Sequence, residues 1–195
     1  MPTSSFTPHQ AIELLVEGNR RYTAGKAQHP HQSIERCAET LSGQRPFAIL
    51  LSCADSRVPP EIIFDQGIGD LFIIRNAGGI LDEVVLGSIE YGIERLDIPL
   101  VMVLGHTKCG AVTAAVKASE APGHIDRIVK TILPAIESSK SLPGDPVLNA
   151  VIANVALSTE QLKNSQPFLA ERVKLGKIQI VGAVYHLDSG EVKLL

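Results

Sequence analysis

FAILL (Phe47 to Leu51) runs into SCADSR (Ser52 to Arg57), and PLVMVL (Pro99 to Leu104) runs into GHTKCG (Gly105 to Gly110). Each apolar run is short, continuous and closed by turn-forming residues, which is the pattern of a strand buried on both faces. Helical patterns fill the chain between and after them. The expected fold is therefore α/β, a central, mostly parallel β-sheet flanked by helices. In such sheets ligands collect at the carboxyl ends of the strands. That is where Cys53, His106 and Cys109 fall.

Working outward, Thr7-Pro8-His9-Gln10 has the form of a capping box with proline at the first helical position. The helix it opens passes through Ala11, Leu14, Leu15, Gly18 and Tyr22 to a stop near Gly25, and a second short helix spans Ser33 to Leu41. Residues 1–45 read as an N-terminal helical arm and residues 46–195 as the core of a single domain, 1–195. Within the core the pattern predicts a short helix after Pro59-Pro60, a strand from Leu71 to Ile74 and a helix from Asp82 to Arg95. Helices follow over Ala111 to Ala118 and Ile125 to Ser138, then a helical stretch from Pro146 to Lys174 broken near Pro167. A last strand covers Ile178 to Val184, with Val192 to Leu194 pairing at an edge.

With 195 residues, 45% hydrophobic and 20% charged, the chain can bury a sizeable core. A net charge of −3 with no basic tract gives no electrostatic reason to bind nucleic acid or an anionic membrane. The apolar stretch Ala11 to Val16 is too short and too soon followed by Glu17, Arg20 and Arg21 to read as an export signal. No run reaches the roughly eighteen apolar residues of a membrane span. The expected location is cytoplasmic, and three cysteines, an odd count, suit a reducing compartment in which thiols bind metal.

Thiolate and imidazole are ligands that Zn²⁺ prefers, and three protein ligands with an exchangeable fourth position are the usual plan of a catalytic site. His106 and Cys109 stand three residues apart at a predicted helix start, a separation that can put both on one side of the first turn. Cys53, Asp55 and Arg57 alternate, so that an extended segment points all three the same way. The plainer readings are a buried cysteine acting as a small apolar residue and an Asp55–Arg57 surface ion pair. Cys37 reads as core, His9, His29, His31 and His124 as solvated, and His186 as either solvated or a proton shuttle. Arg75 reads as structural or substrate-orienting beside the pocket.

CADSRVPPEIIFDQGIGDLFIIRNAGG (Cys53 to Gly79), GHTKCGAV (Gly105 to Val112) and VGAVYHLDSG (Val181 to Gly190) together resemble a β-class carbonic anhydrase of the plant-like and bacterial type. The resemblance implies a lyase that reversibly hydrates CO₂ to bicarbonate and a proton by a zinc-bound hydroxide, with one Zn²⁺ per subunit held by Cys53, His106 and Cys109. It implies Asp55 and Arg57 as a catalytic dyad, with Asp55 in one state a fourth zinc ligand. Gln44, Phe72, Tyr91, Gly78 and Gly79 are implied as the substrate pocket, whose walls are shared between subunits of a homodimer or higher even oligomer. Inhibition by a second bicarbonate is not implied, because Leu50 stands where some relatives carry tryptophan and the chain has none. Hydrolysis of CS₂ or COS on the same zinc, or a structural zinc protein with Asp55 as permanent ligand, are the alternative functions.

Overall fold

A computed structural model describes residues 6–118 and 120–195; residues 1–5 of the expected arm and Ser119 lie outside the described residues. Helix α1 (Pro8–Thr23) opens on the expected box: Thr7 Oγ1 accepts from the Gln10 N–H at 3.2 Å and Gln10 Oε1 accepts from the Thr7 N–H at 2.9 Å. Then come α2 (Ile34–Glu39), β1 (Ala48–Cys53), α3 (Pro60–Ile63) and β2 (Leu71–Asn76). A 3₁₀ turn over Ala77–Gly79 leads to α4 (Glu83–Leu96), β3 (Leu100–His106) and α5 (Gly110–Lys117). The chain continues through α6 (Ile125–Ser139), α7 (Pro146–Lys163), α8 (Phe168–Lys174), β4 (Gln179–Tyr185) and β5 (Val192–Leu194).

The strands form one sheet in the order β2-β1-β3-β4-β5, parallel except for β5. Both β1 and β2 run two residues beyond the expected ends. Their ladder continues to the pair Cys53↔Asn76, so Cys53 closes β1 as His106 closes β3. Alternation along the strands splits the core into two layers. Ile49, Leu51, Cys53, Val101 and Val103 pack with residues of α4 through α8, while Ala48, Leu50, Leu100, Met102 and Leu104 pack with Ala11 and Leu15 of α1 and Ile63 of α3.

Helix α2 is shorter than expected because Ser33 caps it from outside and Thr40 ends it. None of its residues is buried, which corrects the core reading of Cys37: the side chain is exposed. His31 is also not simply solvated, since its Nδ1 lies 2.8 Å from Asp70 Oδ1.

The arm docks through polar groups as well as apolar ones. Gly18 lets α1 lie on the α3 end so closely that a Cβ there would stand 1.8 Å from the Phe64 carbonyl oxygen. Asn19, buried, donates to the Ile63 and Gly190 carbonyls and accepts from the Val192 N–H. The fully buried Asp65 carboxylate accepts from Arg21 Nε at 2.6 Å and from the Gln28 and His29 N–H groups at 3.0 and 2.9 Å. Burial pushes this carboxyl up, but the Gln28 and His29 amides and Arg21 outweigh burial and hold it below its ordinary value. A depressed folded-state pKa contributes stability at neutral pH that is lost as pH falls through it. Asp65→Asn is therefore expected to destabilise the protein at pH 7 in urea titrations, with the gap to the wild type closing below about pH 4, the unfolded carboxyl range.

Candidate active site

The parallel pairing of β1 with β3 brings their carboxyl ends side by side. Cys53 Sγ and Cys109 Sγ lie 4.0 Å apart, and with a ring nitrogen of His106 they form a buried group whose ligand atoms are all within 4.8 Å of one another. Cys109 caps α5, so the turn between β3 and that helix carries it back over His106. Gly78, at φ +84°, and Gly79 line the small cavity at the sulfurs, together with Val112, Val151 and Asn154.

The first sulfur sits where backbone amides favour its thiolate form. It accepts from the backbone N–H groups of Asp55 and Gly78, each at 3.4 Å. Hydrogen bonding from the Cys109 thiol pulls Cys53 down to about 4, and the same pairing, with burial, pushes Cys109 up.

His106 Nδ1 lies 3.0 Å from the Thr107 carbonyl oxygen. A carbonyl only accepts, so Nδ1 carries the proton and Nε2 keeps its lone pair. Nε2 is buried with no hydrogen-bond partner among the described residues, an arrangement that otherwise costs about 1–3 kcal/mol. A cation removes that cost. With Zn–S bonds of about 2.3 Å, two sulfurs on a tetrahedral zinc stand about 3.8 Å apart, close to the separation observed. The donor set and its spacing fit zinc, with three protein ligands and one position left over.

Asp55 is not part of that cluster. Its two oxygens accept from Arg57 Nε at 2.9 Å and Nη2 at 2.8 Å, and Oδ1 also accepts from the Arg57 N–H at 3.0 Å. This fork holds the Asp55 carboxyl well below the usual carboxylate range. Oδ2 remains 3.9 Å from His106 Nε2, beside the ligand cluster and outside hydrogen-bond reach.

Of the two readings of Arg75, structural or substrate-orienting, its contacts within the chain are structural. Its Nε donates to the Cys53 carbonyl at 3.0 Å and its Nη2 to the Asp55 carbonyl at 2.7 Å, fixing the segment from Cys53 to Asp55. Gln44, Phe72 and Tyr91 are not brought to the cluster within one chain. Gln44 is exposed, while Phe72 and Tyr91 pair with ring centroids 6.4 Å apart and Tyr91 is 52% exposed. Sequence reasoning missed Asn154 of α7, whose Nδ2 reaches the Gly78 carbonyl at 3.4 Å. No local signal marks it, because its partner is 76 residues away.

Residues 48–192 match the family model described as carbonic anhydrase. The chain belongs to the carbonic anhydrase family. It is 40% identical over its full length to carbonic anhydrase 2 of Mycobacterium tuberculosis and 41% identical to a carbonic anhydrase of Mycolicibacterium smegmatis, covering 95% of each. The solved β-carbonic anhydrase CcaA superposes with a TM-score of 0.74 at 26% identity, covering 94% of both chains. This enzyme is thus a β-class carbonic anhydrase, with the fold expected of one.

Because Arg75 touches only backbone carbonyls, Arg75→Ala tests positioning. The expected result is a loss of about 10- to 100-fold in kcat/KM from a displaced dyad, with a stability loss of only about 1–3 kcal/mol in urea unfolding.

Proposed function

We propose that this carbonic anhydrase hydrates CO₂ reversibly to bicarbonate at one zinc ion per chain held by Cys53, His106 and Cys109, with Asp55 and Arg57 as the catalytic dyad. The observation that carries the reading is the buried Cys–His–Cys cluster with an Arg-locked carboxylate beside it. When bound, zinc supplies a Lewis acid that makes water a nucleophile at accessible pH. Asp55, ionised and with its direction fixed by Arg57, accepts a hydrogen bond from the attacking water and aims it. Arg57 cannot release its proton, so the carboxylate stays an acceptor throughout the working range. Its Nη2 also reaches the Lys108 carbonyl at 3.4 Å, so the fork is braced from the second ligand segment. Gly78 and Gly79 present backbone without a side chain to the incoming molecule.

The single-chain site lacks the pocket walls Gln44, Phe72 and Tyr91, and we assign them to the site of a neighbouring copy in a homodimer or larger even assembly. Ile34, Leu41 and Val84 are at least three-quarters exposed, an apolar surface consistent with such self-association. On this reading residues 1–45 are an arm on the zinc-binding core of 46–195. Three free thiols suit the cytoplasm; no helix among the described residues is long and apolar enough to cross a membrane.

Metal analysis and stopped-flow CO₂ hydration test the assignment together. Wild type is expected to hold one zinc per chain, and Asp55→Asn and Arg57→Ala to keep it while losing about 10²-fold or more in kcat/KM. Cys53→Ser or Cys109→Ser should instead lose the metal. A wild type free of zinc, or a dyad variant with full activity, would overturn it. The shared pocket predicts complementation: Asp55→Asn and Gln44→Ala chains, each impaired alone, should recover activity when unfolded and reassembled together, because a mixed pair contains one intact site.

A further inference from the structure

We propose that Thr107 is a positioning residue whose hydroxyl sets the His106 ring for metal binding, an inference that rests on the assignment of His106 as a ligand. The Thr107 carbonyl selects the Nδ1–H form of His106 and leaves Nε2 facing the two sulfurs. What needs explaining is how that carbonyl is itself held. β3 ends at His106, so the sheet ladder does not extend to Thr107, and the chain reverses at once through Lys108, a non-glycine residue at φ +55°.

The end of β4 and the chain just beyond it hold Thr107 instead. The Thr107 N–H donates to the Tyr185 carbonyl at 3.0 Å, and Thr107 Oγ1 accepts from the Leu187 N–H at 3.0 Å. Leu187 is firmly placed. It lies in the β4–β5 hairpin, closed by the His186 N–H to the Glu191 carbonyl and the Gly190 N–H to the His186 carbonyl, each at 2.8 Å. Buried Asn19 of α1 ties the same hairpin down through the Gly190 carbonyl and the Val192 N–H. Thr107, whose carbonyl orients His106, is thus held at two points, its N–H by the Tyr185 carbonyl and its hydroxyl by the Leu187 amide. Serine could make the second contact, whereas valine, of the same shape, leaves the Leu187 amide without its acceptor.

Outer hydrogen bonds of this kind typically alter metal affinity about 10- to 100-fold. Zinc dissociation constants from chelator competition, and the His106 tautomer from long-range ¹⁵N–¹H NMR of metal-free protein, test the proposal. The wild-type ring should carry its proton on Nδ1. Thr107→Val should bind zinc about 10- to 100-fold more weakly and show a mixture of tautomers, and Thr107→Ser should restore both readouts. Thr107→Ala carries the same prediction should the valine variant fail to fold. A wild-type ring protonated on Nε2, or variants without the hydroxyl that keep wild-type zinc affinity and tautomer, overturns the proposal. The outcomes separate: a wild type that does not bind zinc removes the ligand assignment itself, while zinc bound equally by wild type and Thr107→Val removes only the role of Thr107.

Discussion

Two sulfurs 4.0 Å apart, with an imidazole nitrogen beside them, form the constraint to which the rest of the site answers. All three residues are buried, so water cannot relieve the conflict between neighbouring thiols or give the ring nitrogen a partner. The hydrogen-bonded pairing of the two thiols drives Cys53 down and, with burial, Cys109 up. A divalent cation satisfies all three atoms at once. The sheet makes the meeting possible: β1 and β3 are parallel neighbours that end together, and Cys53 points into the α5–α7 layer because of its place in the alternation. A one-residue slip of β1 would turn that sulfur to the opposite face.

The cluster is held largely by backbone. Amides of Asp55 and Gly78 point at the first sulfur, a guanidinium clamps the carbonyls on either side of Ala54, and the Thr107 carbonyl accepts from the His106 ring. Backbone groups lose little freedom when used this way, since the sheet has already fixed them, so the site is pre-organised at small additional entropy cost. The Asp55–Arg57 fork reaches solvent, with the Arg57 side chain 54% exposed. That division suits a site in which the metal must stay and small molecules must exchange.

What could be read from the sequence was what local chemistry determines. The two apolar runs located the strands, proline and the threonine–glutamine pair located the start of α1, and residue types at strand ends singled out Cys53, His106 and Cys109, which the fold brings together. Cys37 was misread because a six-residue helix with no buried face still carries a helical pattern. The partner of His31 is Asp70 and that of Asn154 is the Gly78 carbonyl, contacts 39 and 76 residues apart that no window of sequence contains. Phe72 and Tyr91, expected to line the pocket, are a different case. Phe72 lies on β2, the outer strand of the sheet, and Tyr91 on α4, which packs against that strand, so a single chain has nothing beyond them to face.

The N-terminal arm connects these two kinds of information. Its apolar side chains Ala11 and Leu15 would fit many grooves, and hydrophobic contact alone would tolerate a sliding helix. Asn19 and Asp65 do not tolerate it, because a shift of one turn would leave buried amides and a buried carboxylate without partners, at about 1–3 kcal/mol for each group. The polar contacts therefore fix where the arm lies more than they add to its binding. By fixing α1 they also fix the hairpin that Asn19 grips, and through the Leu187 amide the turn between His106 and Cys109. A polar side chain on α1 is thereby linked, through the hairpin, to the turn that joins His106 to Cys109.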